Sequence, residues 1–331
     1  GSEMCIRDSF ATGLPHYGHL MAGTIKDVIP RYKTMKGFFV PRRFGWDCHG
    51  LPVENEIEKT QALSGTSDIQ KFGIAEFNEE CRSIVLRYTK QWKFIVDRIG
   101  RWIDMDHAYR TMDRNFMESV WWVFSELWKK DLVYKGFKVM PYSAKLGTPL
   151  SNFEANLNYQ DVDDPAITVK MPAQNPGEYF LIWTTTPWTL PSNLALIVNP
   201  NIEYARVRSL VDNCIYVVAK KRIGDHFKAS SYEIESTCRG EDLIGEKYTP
   251  PFSYFIQERK NAFRILGDTF VGEENGTGIV HAAPAFGEED FFVCLRENIE
   301  IVCPVDSNGR FTADIPEYEG CLLYTSPSPR D

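Results

Sequence analysis

Two histidines stand three residues apart in Pro15-His16-Tyr17-Gly18-His19, where a run of helical spacing begins. Imidazoles at that separation share one helix face, beside first-turn N–H groups that lack partners within the helix. A helix start favours anions, so the pair could donate to a phosphate whose charge grows during reaction. Gly18 would leave room for a flat base against the backbone. A pair of capping histidines would produce the same pattern. In the second segment, Gly45 to Glu54 (GWDCHGLPVE), Asp47 directly follows a predicted strand. Ligands in open α/β sheets bind beyond the carboxyl ends of strands, and a carboxylate there can hold an ammonium. The competing reading has Asp47 capping the next helix and His49 as a structural neighbour. In the third, WTTTPWTLPSN at 183–193, the hydroxyls of Thr184, Thr185 and Thr186 end a strand and could position a water and an ester oxygen. Threonine-rich strand ends are also ordinary structure. The fourth, GTGIVHAAPAFGEED at 276–290, sets a glycine-rich entry and a strand before His281 and a turn of acids ending in Asp290. That layout suits a pocket, although a histidine after a strand is commonly a satisfied, half-buried side chain. Its spacing fits no metal-site pattern.

These residues need elements to position them. Pro15 and Gly18 mark a tight entry to a helix that Gly37 closes, with Leu20, Ile25, Val28, Ile29 and Tyr32 on one side. Pro30 is expected to kink or end that helix early. FFVPRRFGWD then has the apolar start of a short buried strand. Helix followed by strand is half of a βαβ unit and implies a parallel, doubly wound sheet. Further helices are predicted over 70–98 and 113–130, the second with Asp113 as N-cap and a stripe of Phe116, Val120, Val123, Phe124 and Leu127. After about residue 160 the period shortens, and AITVKMPA, EYFLIWTTT, LALIVNP, YARVRSLV and CIYVVAKK read as strands of a compact β-barrel-like domain. The fold class expected is therefore α/β, a partial doubly wound parallel sheet with an inserted β-barrel-like domain.

The 331 residues, 43% hydrophobic and 25% charged, have the make-up of a soluble globular chain. Lys and Arg total 37 against 45 Asp and Glu, a net −8, which excludes a wholly basic nucleic-acid coat but not a local basic groove. No stretch reaches the ~20 apolar residues needed to cross a bilayer, so no membrane role is expected. Eight scattered cysteines without a CxxC pair read as reduced cytosolic thiols. Residues 1–9 (GSEMCIRDS) and 321–331 (CLLYTSPSPRD) do not match the interior and read as a non-native leader and tail.

Taken together, the four segments resemble isoleucyl-tRNA synthetase, a class I aminoacyl-tRNA synthetase family, over Phe10 to Gly320. PHYGH is similar to the family's His-Ile-Gly-His-type signature, and RRFGWDCHGLPVE at 42–54 has the isoleucine wording. PLSNFEANLNY (149–159), WTTTPWTLPSN and GTGIVHAAPAFGEEDF are similar to segments of the family's inserted editing domain. The resemblance implies a Rossmann-type catalytic domain, its first half at 10–160, and an editing domain at 161–320. It implies that ATP, with Mg2+, and isoleucine condense to isoleucyl-adenylate before transfer to tRNA, and that valyl-tRNA made in error is hydrolysed. One methylene discriminates by only ~1–3 kcal/mol in an apolar pocket, which is why such editing is needed. His16 and His19, with Gly18, would serve ATP, and Asp47 would bind the substrate ammonium. Thr184, Thr185, Thr186 and Asn193 would line the hydrolytic pocket, His281 would lie against the terminal adenosine and aminoacyl group, and Asp290 would hold the α-ammonium. A cytoplasmic monomer is expected.

The sequence also departs from the family. Arg7-Asp8-Ser9 stands where the family has Gly-Pro-Pro, and no KMSKS-like loop is present. The chain is therefore expected to be a fragment with an incomplete synthetic site, unable by itself to perform isoleucine-dependent ATP–pyrophosphate exchange. Two other classes compete: a small HxGH nucleotidyltransferase and a non-catalytic tRNA-binding module. Hydrolysis of valyl-tRNA separates an enzyme from a module.

Overall fold

The computed structural model describes residues 13–145, 147–155, 161, 163, 166–257 and 259–323. The expected leader 1–9 lies outside them, as do residues 156–159 of the PLSNFEANLNY segment. The chain divides into two compact units, 1–136 and 137–331.

In the first unit, helix α1 (Tyr17–Met35) leads to strand β1 (Arg43–Trp46), then to helices α2 (Leu51–Gln61), α3 (Gly65–Phe72), α4 (Ile74–Ile84) and α5 (Thr89–Arg98). Strand β2 (Asp104–Arg110) and helix α6 (Arg114–Lys129) follow. β1 and β2 pair in parallel, as expected, and the four intervening helices form the crossover that parallel pairing requires. The single helix predicted over 70–98 is three. Gly73 breaks it with φ of 112°, and i→i−3 bonds from Arg87 to Ile84 and Thr89 to Leu86 tighten a second corner. Those breaks let Phe77, Ile84, Val85, Trp92 and Val96 pack in one core with Phe44 and Trp46 of β1.

Helix α1 corrects two expectations. It runs through Pro30, because Pro30 removes only one ladder bond while side-chain ties flank it. Arg31 Nε donates to Asp27 Oδ2 at 2.9 Å, and the Trp102 N–H donates to Asp27 Oδ1 at 3.1 Å. The Arg31 guanidinium also lies 4.2 Å above the Trp102 ring. The buried positions of α1 are accordingly Gly23 and Asp27, whereas Ile25, Val28, Ile29 and Tyr32 are 55–62% exposed. Likewise α6 buries no residue, and Val120, Val123, Phe124 and Leu127 of the predicted stripe are 41–54% exposed. An amphipathic stripe buries only where an apolar surface lies opposite it. Asp113 occupies the N-cap position, but its carboxylate accepts from Arg110 N–H behind it and does not cap the helix.

The second unit opens with the short pair β3 (Tyr142–Ser143) and β4 (Thr148–Pro149) and the single turn α7 (Asn152–Ala155). Strands β5 (Ile167–Pro172), β6 (Glu178–Thr184), β7 (Ala195–Val198), β8 (Glu203–Ser209) and β9 (Ile215–Ala219) come next. After the turn α8 (Ile223–His226) come β10 (Tyr232–Arg239), α9 (Gly240–Leu243), β11 (Ile265–Gly267), β12 (Ile279–Ala282) and α10 (Glu288–Arg296). The expected β-rich composition is present, but its layout is not a closed barrel. Among the described residues, a five-stranded mixed sheet in the order β10-β8-β9-β6-β5 accompanies a three-stranded mixed sheet in the order β11-β7-β12. Parallel pairs β6–β9 and β7–β11 interrupt the antiparallel pattern of an up-and-down barrel. Phe180 and Ile182 of β6, Leu196 and Ile197 of β7, and Ile265 of β11 meet in one core. A smaller cluster of Ala205, Val207, Val218 and Ile223 forms beside it.

The tail expected at 321–331 does not begin as a free end. Cys321 O accepts from Phe311 N–H at 2.9 Å, Leu323 N–H donates to Gly309 O at 2.8 Å, and Leu323 packs on the main core. Residues 324–331 lie outside the described residues.

Candidate functional site

Two constellations gather the residues singled out from the sequence, one in each unit. In the first unit, His16 is the N-cap of α1 in extended conformation, with φ of −117°. Its Nδ1 accepts from Gly18 N–H at 3.1 Å, and His19 Nδ1 accepts from His16 N–H at 3.2 Å, a capping box built from imidazoles. The rings lie 3.7 Å apart between centroids. A ring nitrogen that accepts an N–H carries no proton, so each neutral imidazole holds its proton on Nε2. The helix start therefore presents two Nε2–H donors side by side.

Two expectations change here. The amides of Gly18, His19 and Leu20, expected to be open to an anion, are taken by the Nδ1 and carbonyl of His16. The space above Gly18, expected to take a flat base, holds the His16 ring, whose Cε1 would lie 3.0 Å from a Cβ there. Any anion contact thus falls to the rings and not to the backbone. Trp92 backs His19 edge-on at 4.9 Å and donates from Nε1 to Gly13 O at 2.9 Å, which fastens the entry to the helix.

Asp47 follows the carboxyl end of β1 and is half-buried. It does not cap α2, whose N-cap is Gly50. Its one described contact is a long 3.5 Å approach of His49 N–H to Oδ1, which leaves the carboxylate largely available. Beside it, Thr111 Oγ1 accepts from Cys48 N–H at 2.8 Å and lies 3.1 Å from His49 Nδ1.

In the second unit, Thr184 ends β6 and is buried, Thr185 is exposed, and Thr186 is half-buried. The hydroxyls continue as a row: Thr184 to Thr186 at 3.3 Å, Thr186 to Thr189 at 3.4 Å, and Thr189 to His281 Nε2 at 3.0 Å. Thr189 sits in the 3-10 turn Pro187–Ser192, which folds it back beneath Thr186. Sequence reasoning passed over Thr189, although its place three residues after Thr186 in a proline-started turn was the available signal. Thr189 Oγ1 donates to Thr186 O at 2.8 Å and so accepts from the ring, which puts the His281 proton on Nε2. His281 is 5% exposed, and burial alone lowers its pKa to about 4. Its Nδ1 is buried without a partner among the described residues. Its described polar contact is therefore made inside the unit, through Thr189.

Asn193 is likewise engaged inside the unit. It is buried, its Nδ2 donates to Ala195 O at 3.0 Å, and its Oδ1 accepts from the Tyr248 hydroxyl. Both ends of the amide are used inside the core, so Asn193 anchors the turn. Asp290 lies in the first turn of α10, where its Oδ2 accepts from Ala283 N–H at 2.9 Å. Gly287 makes that fold-back possible, since a Cβ there would stand 2.8 Å from the carboxylate oxygen. Burial raises the Asp290 pKa, the Ala283 N–H lowers it, and the Glu289 charge raises it again. A desolvated carboxylate gains more from a paired cation than a solvated one does.

The family described as "tRNA synthetases class I (I, L, M and V)" matches residues 3–292. The chain is 61% identical over 317 residues to the isoleucine–tRNA ligase of Protochlamydia amoebophila, covering 95% of this chain and 30% of that protein. It is 53% identical over 313 residues to that of Chlamydia pneumoniae, covering 94% of this chain and again 30% of that protein. The chain thus spans about 30% of the length of the curated relatives it matches. Among solved structures, the P. knowlesi cytosolic leucyl-tRNA synthetase editing domain overlaps at a TM-score of 0.33 with 14% identity, over 44% of this chain and 71% of that one.

Proposed function

Because the chain belongs to the class I tRNA synthetases of the I, L, M and V group, we propose that it carries two working parts of an isoleucine–tRNA ligase, the activity for which its relatives are named. The first unit binds ATP and isoleucine while isoleucyl-adenylate forms, ahead of transfer to tRNA. The second hydrolyses valyl-tRNA made in error. The architecture is part of the same proposal, with the β1–β2 pair as the start of a Rossmann-type sheet and the second unit as the inserted editing domain. ATP brings Mg2+ with it as substrate; among the described residues no group of three His, Cys, Asp or Glu side chains is placed to hold an ion. The imidazole pair supplies the protein's own part, two Nε2–H donors at the phosphates, and Asp47 takes the ammonium of isoleucine.

One observation carries the hydrolytic half: a row of hydroxyls from Thr184 through Thr186 and Thr189 to a buried neutral imidazole, in the same unit as the desolvated Asp290. Asp290 holds the ammonium of the aminoacyl ester. The hydroxyl row orients a water against the ester carbonyl carbon; the bond to the ribose oxygen breaks, and the water's proton ends on that oxygen. No charge forms at His281, whose burial keeps it neutral. Valyl- and isoleucyl-tRNA given separately to the chain test this reading. Valyl-tRNA should be hydrolysed and isoleucyl-tRNA spared. Asp290→Ala, matched for thermal melting, should slow hydrolysis by at least about tenfold, the loss of one charge-assisted hydrogen bond. Thr185→Ala should be milder because Thr184 and Thr186 keep the row. A folded Asp290→Ala protein that hydrolyses valyl-tRNA at the parent rate removes Asp290 from the site.

A further inference from the structure

Thr111, one residue beyond β2, is tied to the Asp47 turn at three points. Its N–H donates to Trp46 O at 3.0 Å, its hydroxyl oxygen accepts from Cys48 N–H at 2.8 Å, and the same oxygen lies 3.1 Å from His49 Nδ1. A hydroxyl has one proton. The Cys48 N–H arrives at its oxygen, and of the two acceptors beside the hydroxyl, Cys48 Sγ and His49 Nδ1, the imidazole nitrogen is by far the stronger, so that proton goes to His49 Nδ1. The neutral imidazole then carries its hydrogen on Nε2. His49 is exposed, and its Nε2 has no protein partner among the described residues. Its own N–H approaches Asp47 Oδ1 at 3.5 Å, so the carboxylate and the imidazole belong to one turn at the carboxyl end of the sheet.

We propose that Thr111 is a positioning residue that holds His49 as an Nε2–H donor, and that Asp47 and His49 together recognise an α-amino acid by its two charged ends, ammonium on Asp47 and carboxylate on His49. This deepens the activation reading above and rests on its placing of Asp47. Thr111 touches no ligand and acts by fixing the tautomer and angle of the ring. A side chain without a hydroxyl would leave Cys48 N–H unpaired and the ring free to place its proton on either nitrogen.

The test uses the whole chain with two probes, L-isoleucine and L-isoleucinol, which keeps the ammonium and lacks the carboxylate. Nitrogen-15 NMR reads the His49 tautomer, and titration followed by NMR reads affinity. The wild-type protein should show the Nε2–H tautomer and bind isoleucine about tenfold more tightly than isoleucinol. Thr111→Val should mix the tautomers and bring isoleucine down to the affinity of isoleucinol, whose own binding stays unchanged. Thr111→Ser should restore both properties. Should Thr111→Val melt early, His49→Phe supplies the second variant, and it should remove the preference for isoleucine with Thr111 intact. An unchanged tautomer in folded Thr111→Val, or equal weakening of both probes, overturns the proposal. Failure of isoleucinol to bind the wild-type protein overturns the placing of Asp47, and this proposal falls with it. Binding of isoleucinol with no gain for isoleucine overturns the His49 contact alone.

Discussion

In the first unit the candidate imidazoles stand at an exposed helix start, each accepting a backbone N–H at Nδ1, while large apolar side chains such as Trp121, Trp122 and Phe39 are 64–93% exposed. In the second unit most buried apolar side chains gather into a main core with a smaller cluster beside it, and the candidate imidazole, His281, is 5% exposed. Polar placement follows from how each unit holds itself. The first ties α1 down with an ion pair and a stacked guanidinium on Trp102, which leave its apolar face open. The second closes both sheets on shared side chains, so that a polar group near its site finds its partner inside or, as His281 Nδ1 does among the described residues, goes without one. Sites of the first kind tolerate change around them, whereas sites of the second kind are coupled to the stability of the unit.

The largest effect expected from this contrast is at Phe180, fully buried on β6. Phe180→Ala should lower the stability of the second unit by about 3–5 kcal/mol, read by urea unfolding with near-ultraviolet circular dichroism. A loss below about 1 kcal/mol would mean the core is not close-packed.

Next comes acid sensitivity. The folded pKa of His281 is about 4 against an ordinary 6.5, so below pH 6.5 the unfolded chain takes up a proton that the folded chain refuses. Stability of the second unit should therefore fall as pH drops from 6.5 to 4, by on the order of 3 kcal/mol, and His281→Gln should flatten that slope. Asp290 acts in the opposite sense, because burial raises its pKa and the folded state keeps a proton that the unfolded chain has lost. Its contribution falls as pH rises from its ordinary value through the raised one. Parallel acid melting curves for parent and His281→Gln would break the comparison, since a solvated ring would behave that way.

A smaller effect is expected at Asp27, the buried tie of α1. Asp27→Ala leaves the Trp102 N–H without its partner and the Arg31 guanidinium with only the Gly100 carbonyl and the Trp102 ring, and should cost about 1–3 kcal/mol, read by hydrogen exchange within α1. No change in α1 protection would show that the helix is held by something other than its clamp. The smallest effect belongs to α6, where Val123 is 49% exposed. Val123→Ser should alter stability by no more than about 0.5 kcal/mol. A larger loss in thermal melting would mean that the stripe is covered in solution.

Much of the site was legible before any coordinates. His16 and His19 do share a face and Asp47 does follow a strand, because each depends on a period or a turn residue within a few positions, whereas the turn of acids at Asp290 proved to be the first turn of a helix. The burial and partners of Asn193 and His281 were not legible, for the opposite reason. Whether a polar side chain faces a ligand or the core depends on what packs over it, and Tyr248 and Thr189 reach them from 55 and 92 residues away in the chain. The same limit applies to α1, where spacing selected Ile25 and Val28 but the packed positions are Gly23 and Asp27. Periodicity finds a stripe and says nothing of the surface opposite.

Local chemistry in the amino-acid sequence was thus enough to determine the helix that carries two imidazoles, the strand that ends at Asp47, the β-rich composition after residue 160, and the four segments that share one family wording. Tertiary structure alone decided that the strands form two open mixed sheets in place of a barrel, that the first-turn amides of α1 are spent on His16, and that Thr189 links His281 to the hydroxyl row. Strand order and burial depend on contacts between residues far apart in the chain. Those contacts are won by the arrangement that buries the most apolar surface while leaving the fewest polar atoms unpaired, a balance no local window contains.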